Sequence, residues 1–343
     1  MKGRRYLSKS DKRSNNSMFN TIYVEEKALE YPITRQLLQK YADYPVVTIR
    51  HYKDVFNRPK QHFALQKQNQ SLILAVKEGQ FLYKGPEVCQ NFGHPNFYYT
   101  SFVLNCVFDC EYCYLQGMYP SANMVAFVNV EDFKKSMEEV LVEKQAFLAA
   151  SYDTDLIAFH NIVPYVDYFY DFFRENPDLL VEIRTKSANQ SFYRNHEPLE
   201  NIIIAFTLTP AEVIEKYERH TPSLEARIKA VNTAISQGFK VRICFDPIFI
   251  DPEIDHAYEP FYRYIFTRID PGRILDVGYG FFRMSEDFFK RIEKIRSSSL
   301  LYAEDYCKDN GVISYPSHVM EKIQKEHMSI LYDYIGKEKI FTL

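Results

Sequence analysis

Three cysteines stand close together in the run Leu104-Asn105-Cys106-Val107-Phe108-Asp109-Cys110-Glu111-Tyr112-Cys113-Tyr114, a C-x3-C-x2-C triad. A cubane iron-sulfur cluster has four irons and is held by cysteine thiolates, so a set of three thiolates leaves one iron open. That iron can chelate the amino and carboxylate groups of S-adenosylmethionine (SAM). One electron from the reduced cluster then breaks the sulfur to C5′ bond, giving methionine and a 5′-deoxyadenosyl radical that takes hydrogen from a substrate. The competing chemistry is structural zinc with a fourth ligand elsewhere. Zinc favours paired C-x2-C hooks and a closed tetrahedron, whereas this triad is asymmetric and follows directly on a strand.

The elements that must position this loop alternate with regularity. Strands are expected at Phe97 to Val103, Gln145 to Ala150, Leu179 to Lys186, Asn201 to Leu208, Phe239 to Ile248 and Arg273 to Phe282. Helical periodicity falls between them at Val130 to Glu143, Ile162 to Arg174, Pro222 to Gln237, Ile254 to Arg268 and Ser285 to Ile295, with a weaker stretch at Gln190 to Tyr193. The Pro222 to Gln237 helix carries the fullest set of signals: Thr221 as N-cap, Pro222 at N1, Leu224, Ile228, Val231 and Ile235 on one face, and Gly238 as the stop. Six βα units imply a parallel sheet with functional residues at the carboxyl ends of its strands, whether the sheet is open or curved into a barrel. Ahead of it, Ile33 to Tyr41 reads as a helix, and Val46 to Arg50 and Ser71 to Val76 as strands.

The triad, with an aromatic residue before its last cysteine, resembles the radical SAM superfamily, in which that aromatic lies against the adenine; Tyr112 fills the place. The resemblance narrows with Glu111-Tyr112-Cys113-Tyr114-Leu115-Gln116, with Ala126-Phe127-Val128-Asn129-Val130-Glu131, and with the upstream Tyr23-Val24-Glu25-Glu26-Lys27-Ala28-Leu29-Glu30-Tyr31-Pro32. Together these are similar to the spore photoproduct lyase family up to about Ile248. The resemblance implies a partial (β/α)6 TIM-type radical SAM barrel with a small N-terminal α/β extension. Its expected divisions are a mobile basic arm at 1–17, the extension at 18–96, the barrel at 97–295 and a C-terminal region at 296–343.

The activity so implied is reversal of the 5-thyminyl-5,6-dihydrothymine lesion of DNA to two thymines. The cofactors are a [4Fe-4S] cluster on Cys106, Cys110 and Cys113 and SAM. Lys186 matches a lysine on the SAM carboxylate, Thr207 a serine that touches SAM, and Tyr114 a tyrosine of a relay that helps regenerate SAM. The family's hydrogen-donating cysteine follows the second strand in an Ala-Ala-Cys context. Here the stretch is Ala149-Ala150-Ser151-Tyr152-Asp153-Thr154-Asp155, with Tyr152 at the cysteine position. Tyr152 or Tyr114 then becomes the candidate donor, or a pocket wall. Cys89, Cys244 and Cys307 read as buried, inert thiols.

The C-terminal third departs from the family's basic hairpin and reads Gly311-Val312-Ile313-Ser314-Tyr315-Pro316, where Tyr315 is a base-stacking candidate or a packed turn. Arg50, His51, Lys53, Arg58, Lys60, His62 and Lys67, interleaved with Tyr52, Phe56 and Phe63, are spaced as a surface that tracks a nucleic-acid backbone, or as a solvated face. The net charge of -3 excludes indiscriminate nucleic-acid coating. Six cysteines without a secretory signal argue against a disulfide framework and for a cytoplasmic protein. Expected partners are damaged DNA and a flavodoxin- or ferredoxin-like one-electron reductant, with no membrane. Two other readings remain: a radical SAM enzyme acting on another lesion, a nucleotide or a peptide, and a nonenzymatic metal-stabilised DNA-binding protein.

Overall fold

The computed structural model describes residues 18–142 and 145–342. The expected basic arm at 1–17 lies outside the described residues.

Six parallel strands follow one another in the order of the sequence: Phe97–Thr100, Ala146–Ala149, Leu179–Thr185, Ile202–Thr207, Lys240–Ile248 and Asp276–Phe281. From the second strand on, their apolar runs are largely buried on both faces, as parallel sheets require, while the first strand is half-buried. Leu82–Lys84 pairs antiparallel with the first strand and Ile340–Thr342 parallel with the sixth. The hydrogen-bonded order therefore has two ends and the barrel is partial. The segment after Leu82–Lys84 reaches between those ends. Gln90 donates to the Thr342 carbonyl, and Phe92 packs edge-on to Phe147 and Phe341 beneath the Arg242 guanidinium.

A second sheet runs Val46–Ile49, Ile22–Glu25, Leu72–Ala75, Met124–Phe127 and Val103–Leu104, with only the last strand antiparallel. The single strand expected over Phe97 to Val103 is corrected here into two, one in each sheet. The chain bends at Ser101 and Phe102, where Ser101 donates to the Asp153 carboxylate and Phe102 stacks among Phe133, Tyr165 and Phe169. That bend aims the next residues out of the barrel and into the cysteine loop.

The helix that leads into the fifth strand spans Leu224–Ser236, after a shorter one at Ala211–Tyr217, and begins later than its signals suggested. Ser223, not Thr221, is the N-cap and accepts from the Ala226 amide. The Thr221 hydroxyl is already engaged, donating to the Glu218 carbonyl and accepting from Arg227. Gly238, at φ +91°, ends the helix as expected. Beyond the sixth strand, Arg283–Ser285, Val312–Ser314 and Cys307–Asp309 form a small antiparallel sheet, and helix Ser317–Leu331 packs on helix Tyr258–Arg268.

Candidate active site at the mouth of the barrel

A cavity of about 390 Å³ opens at the carboxyl ends of the barrel strands. All eight residues singled out from the sequence line it: Cys106, Cys110, Cys113, Tyr112, Tyr114, Tyr152, Lys186 and Thr207. Each comes from a strand end or from the loop beyond one, so the βα pattern brings together side chains a hundred residues apart in sequence.

The cysteine loop leaves the second sheet at Asn105, which is fully buried with φ +71°. Asparagine tolerates this left-handed turn when its amide finds acceptors, and here it donates to the Ser121 and Asn123 carbonyls at 2.7 and 2.8 Å. A loop curled around three thiols pairs few of its carbonyls through its own amides, the Cys113 amide to the Cys110 carbonyl among them, so side-chain donors supply the rest. Lys67 donates to the Cys106 and Phe108 carbonyls. The Gln116 amide reaches the carbonyls of Cys110 and Glu111 at 3.0 and 3.1 Å, and Tyr302 donates to Glu111 at 2.8 Å. Arg296 holds Gln116 at 2.7 Å and pairs with Asp109. Gly117 allows this packing, because a Cβ there would lie 2.6–2.8 Å from Phe288 backbone and Cβ atoms.

A buried ion pair pins the far side. Asp109–Cys110 pairs antiparallel with Glu218–Arg219. Glu218 accepts from both the Tyr112 phenol and the Arg227 guanidinium, and the Arg227 and Glu218 side chains are each 0% exposed. Burial alone would raise the Glu218 carboxyl, but Arg227 and Lys186 outweigh it and hold it below its ordinary range. Burial likewise opposes the charge on Lys186, yet Glu218 and Cys110 keep the ammonium above its ordinary range. Its Nζ lies 5.5 Å from the Tyr112 ring centroid. The Lys186 amide donates to Asp155 at 2.7 Å and the Thr185 hydroxyl at 2.8 Å, so a buried carboxylate whose pKa burial raises fixes this strand end.

The thiols suit a cluster better than a single ion. Burial pushes Cys106 up to about 12 and raises Cys110 and Cys113 as well, so any metal centre that binds them must displace their protons. Zinc at about 2.3 Å from each sulfur would draw three thiols within about 4 Å of one another. Among the described residues, the side chains whose ligand atoms converge within 4.8 Å are His160, Asp167 and His196, not the cysteines. The histidine trio already has an internal account in His196, held between the Phe192 carbonyl and Asp167 at 2.8 Å each.

Tyr152 is half-buried. Its ring stacks on Tyr99 at 4.0 Å and lies 5.7 Å from Tyr114, whose hydroxyl donates to the Tyr152 carbonyl. One expectation is corrected. Cys89 is a half-buried thiol on the cavity wall, and Cys307 is exposed; only Cys244 is a buried core thiol. Of the two readings of Tyr315 the structure has the packed turn, with the ring buried against Tyr306. In the Arg50 to Lys67 segment Phe56 and Phe63 belong to the interior and Lys67 is turned to the cysteine loop, while Arg50, Lys53, Arg58, Lys60 and His62 are exposed. Sequence reasoning missed Glu218, Arg227, Asp155 and Arg296; each is a lone charge whose partner is set by tertiary contact, and no local spacing announces it.

The chain matches the family described as spore photoproduct lyase over residues 18–295. It is 22% identical over 265 residues to the spore photoproduct lyase of Bacillus subtilis (strain 168), covering 75% of this chain and 74% of that one. The structure of a spore photoproduct lyase complexed with dinucleoside spore photoproduct superposes with a TM-score of 0.80 at 15% identity, over 95% of this chain and 99% of that one. A mutant of such a lyase with bound AdoMet and the dinucleoside gives 0.78 at 16%, over 94% and 98%. The partial-barrel fold is thus shared in full.

Proposed function

Because the chain belongs to the spore photoproduct lyase family, whose members are radical SAM lyases with a [4Fe-4S] cluster and SAM, we propose that it reverses the 5-thyminyl-5,6-dihydrothymine lesion of DNA to two thymines. The observation that carries this reading is the convergence of the three thiols with Tyr112, Lys186 and Thr207 on one cavity of ligand-binding size. When bound, the cluster and SAM supply a 5′-deoxyadenosyl radical.

The chain's own residues divide the remaining work. Cys106, Cys110 and Cys113 hold the cluster, and the donors on their carbonyls fix the loop before it is loaded. Lys186 offers its ammonium to the SAM carboxylate, Tyr112 its ring face to the adenine, and Thr207 a hydroxyl at the fourth strand end. Apolar walls from Phe97, Phe147, Phe282 and Phe288 keep water from a radical. A lesion inside duplex DNA reaches such an enclosed site only when extruded from the stack. The electron comes from a flavodoxin- or ferredoxin-like protein, and the setting is the reducing cytoplasm. Among the described residues no helix is long and apolar enough to cross a membrane.

A second reading keeps the scaffold and changes the substrate to another lesion, a nucleotide or a peptide. It is favoured by Tyr152 at the place of the family cysteine and by a hairpin whose only lysine, Lys308, is paired with Glu286. Anaerobically reconstituted and reduced protein, given the dinucleoside lesion, distinguishes the two. The first predicts recovery of the intact thymidine dinucleotide; SAM cleavage with none recovered supports the second.

A further inference from the structure

The thiol absent from the end of the second strand has a counterpart on a different element. Cys89 lies in the segment that bridges the open side of the barrel, and its Sγ is 3.9 Å from the Tyr152 hydroxyl. That segment is pinned on both sides. Arg283 donates to the Val88 carbonyl at 2.9 Å while paired with Asp246, and Gln90 donates to the Thr342 carbonyl. Cys89 and Tyr152 both line the cavity that holds the three cluster thiols. Beside them Ser151, 8% exposed, lines the same cavity, and its buried hydroxyl has no hydrogen-bond partner among the described residues.

We propose that Cys89 is the hydrogen-atom donor that quenches the product radical, with Tyr152 as the group that restores it; this rests on the lesion-reversal reading above. A thiol S–H bond is weak and passes its hydrogen to carbon radicals readily, and the Tyr152 phenol, one face stacked on Tyr99, has its hydroxyl beside the Cys89 sulfur. In the step, the S–H bond of Cys89 breaks and a C–H bond forms on the thymine radical, leaving a thiyl radical. The Tyr152 O–H bond then breaks as S–H reforms. The phenoxyl is returned to phenol by one electron from the external one-electron reductant and one proton from solvent. Burial raises Cys89 above the ordinary thiol range, which keeps the sulfur protonated and so able to give a hydrogen atom.

The test uses reduced holoenzyme in deuterium oxide. With the dinucleoside lesion, wild-type protein places solvent deuterium in the recovered thymine. In Cys89→Ala and Cys89→Ser the ratio of 5′-deoxyadenosine formed to thymine recovered rises about tenfold or more. A variant that keeps the wild-type ratio and label overturns the proposal. A second readout does not depend on repair: the dinucleoside shields Cys89 of the holoenzyme from a small alkylating reagent, followed by peptide mapping, and equal alkylation with and without it is a contrary result. If wild-type protein recovers no thymine at all, the lesion reading fails by itself. The donor is then judged on 5′-deoxyadenosine made without DNA, which carries deuterium in wild type and loses it in Cys89→Ala if the thiol faces the radical; unchanged label overturns the assignment.

Discussion

Replacing Glu218 by glutamine keeps the shape of the side chain and removes only its charge. The Arg227 guanidinium, 0% exposed, is then left without a counter-ion, and Lys186 loses the carboxylate that favours its charged form. At an effective dielectric of about 20, unit charges about 4 Å apart attract by about 4 kcal/mol, and stripping one partner from a buried pair costs about 3–5 kcal/mol. Against a typical stability of about 5–15 kcal/mol this is a large loss. We expect Glu218→Gln to lower the unfolding free energy of the anaerobic apoprotein in urea by about 3 kcal/mol or more, and to speed iron loss from reconstituted protein, since Tyr112 and the Asp109–Cys110 ladder rest on the same residue. The double variant Glu218→Gln/Arg227→Met removes both charges of the pair, leaving only Lys186 without its carboxylate, and should cost less than the sum of the single changes by about 2 kcal/mol. A single-variant loss under about 1 kcal/mol, or strict additivity, would refute the reasoning, because the pair would then behave as a solvated one.

Three further outcomes are expected. Gly117→Ala forces a methyl group against the Phe288 backbone and should cost about 1–3 kcal/mol, seen as a lower thermal midpoint, whereas an unchanged midpoint would mean that the Glu286–Ile295 helix is free to give way. Lys186→Met should weaken SAM binding to reconstituted protein about tenfold or more in equilibrium dialysis; unchanged affinity removes the lysine from the site. His327 is buried, contacts the Tyr262 and Tyr279 hydroxyls, and is depressed by burial to about 4. The unfolded chain therefore binds that proton more readily, so its contribution is complete above about pH 6.5 and is lost as pH falls towards about 4. The stability difference between about pH 7 and pH 5 should shrink by about 2 kcal/mol in His327→Gln, and equal slopes in the two proteins would contradict this assignment.

Much of this architecture was legible because it is local. The six strands announce themselves as apolar runs, and Leu224, Ile228, Val231 and Ile235 at helical spacing do face the interior. Cys106, Cys110 and Cys113 were readable because their spacing is itself the chemistry. What escaped depends on contacts between distant segments. The split of the first strand follows from Ser101 meeting Asp153, and the late start of helix Leu224–Ser236 from Thr221 being used elsewhere. Phe56 and Phe63 read as surface aromatics because basic residues flank them, yet burial of a large ring outweighs the preference of its neighbours for water. Cys89 had no sequence neighbour to recommend it, and only the loop across the open side of the barrel brings it to Tyr152.

The central claim is that three thiolates hold a cluster with one iron left for SAM. Mössbauer spectroscopy of anaerobically iron-reconstituted protein tests it most directly. The account predicts a cubane of four irons of which one site alone shifts when SAM is added. A colourless protein that retains only zinc, or four irons that ignore SAM, would contradict it.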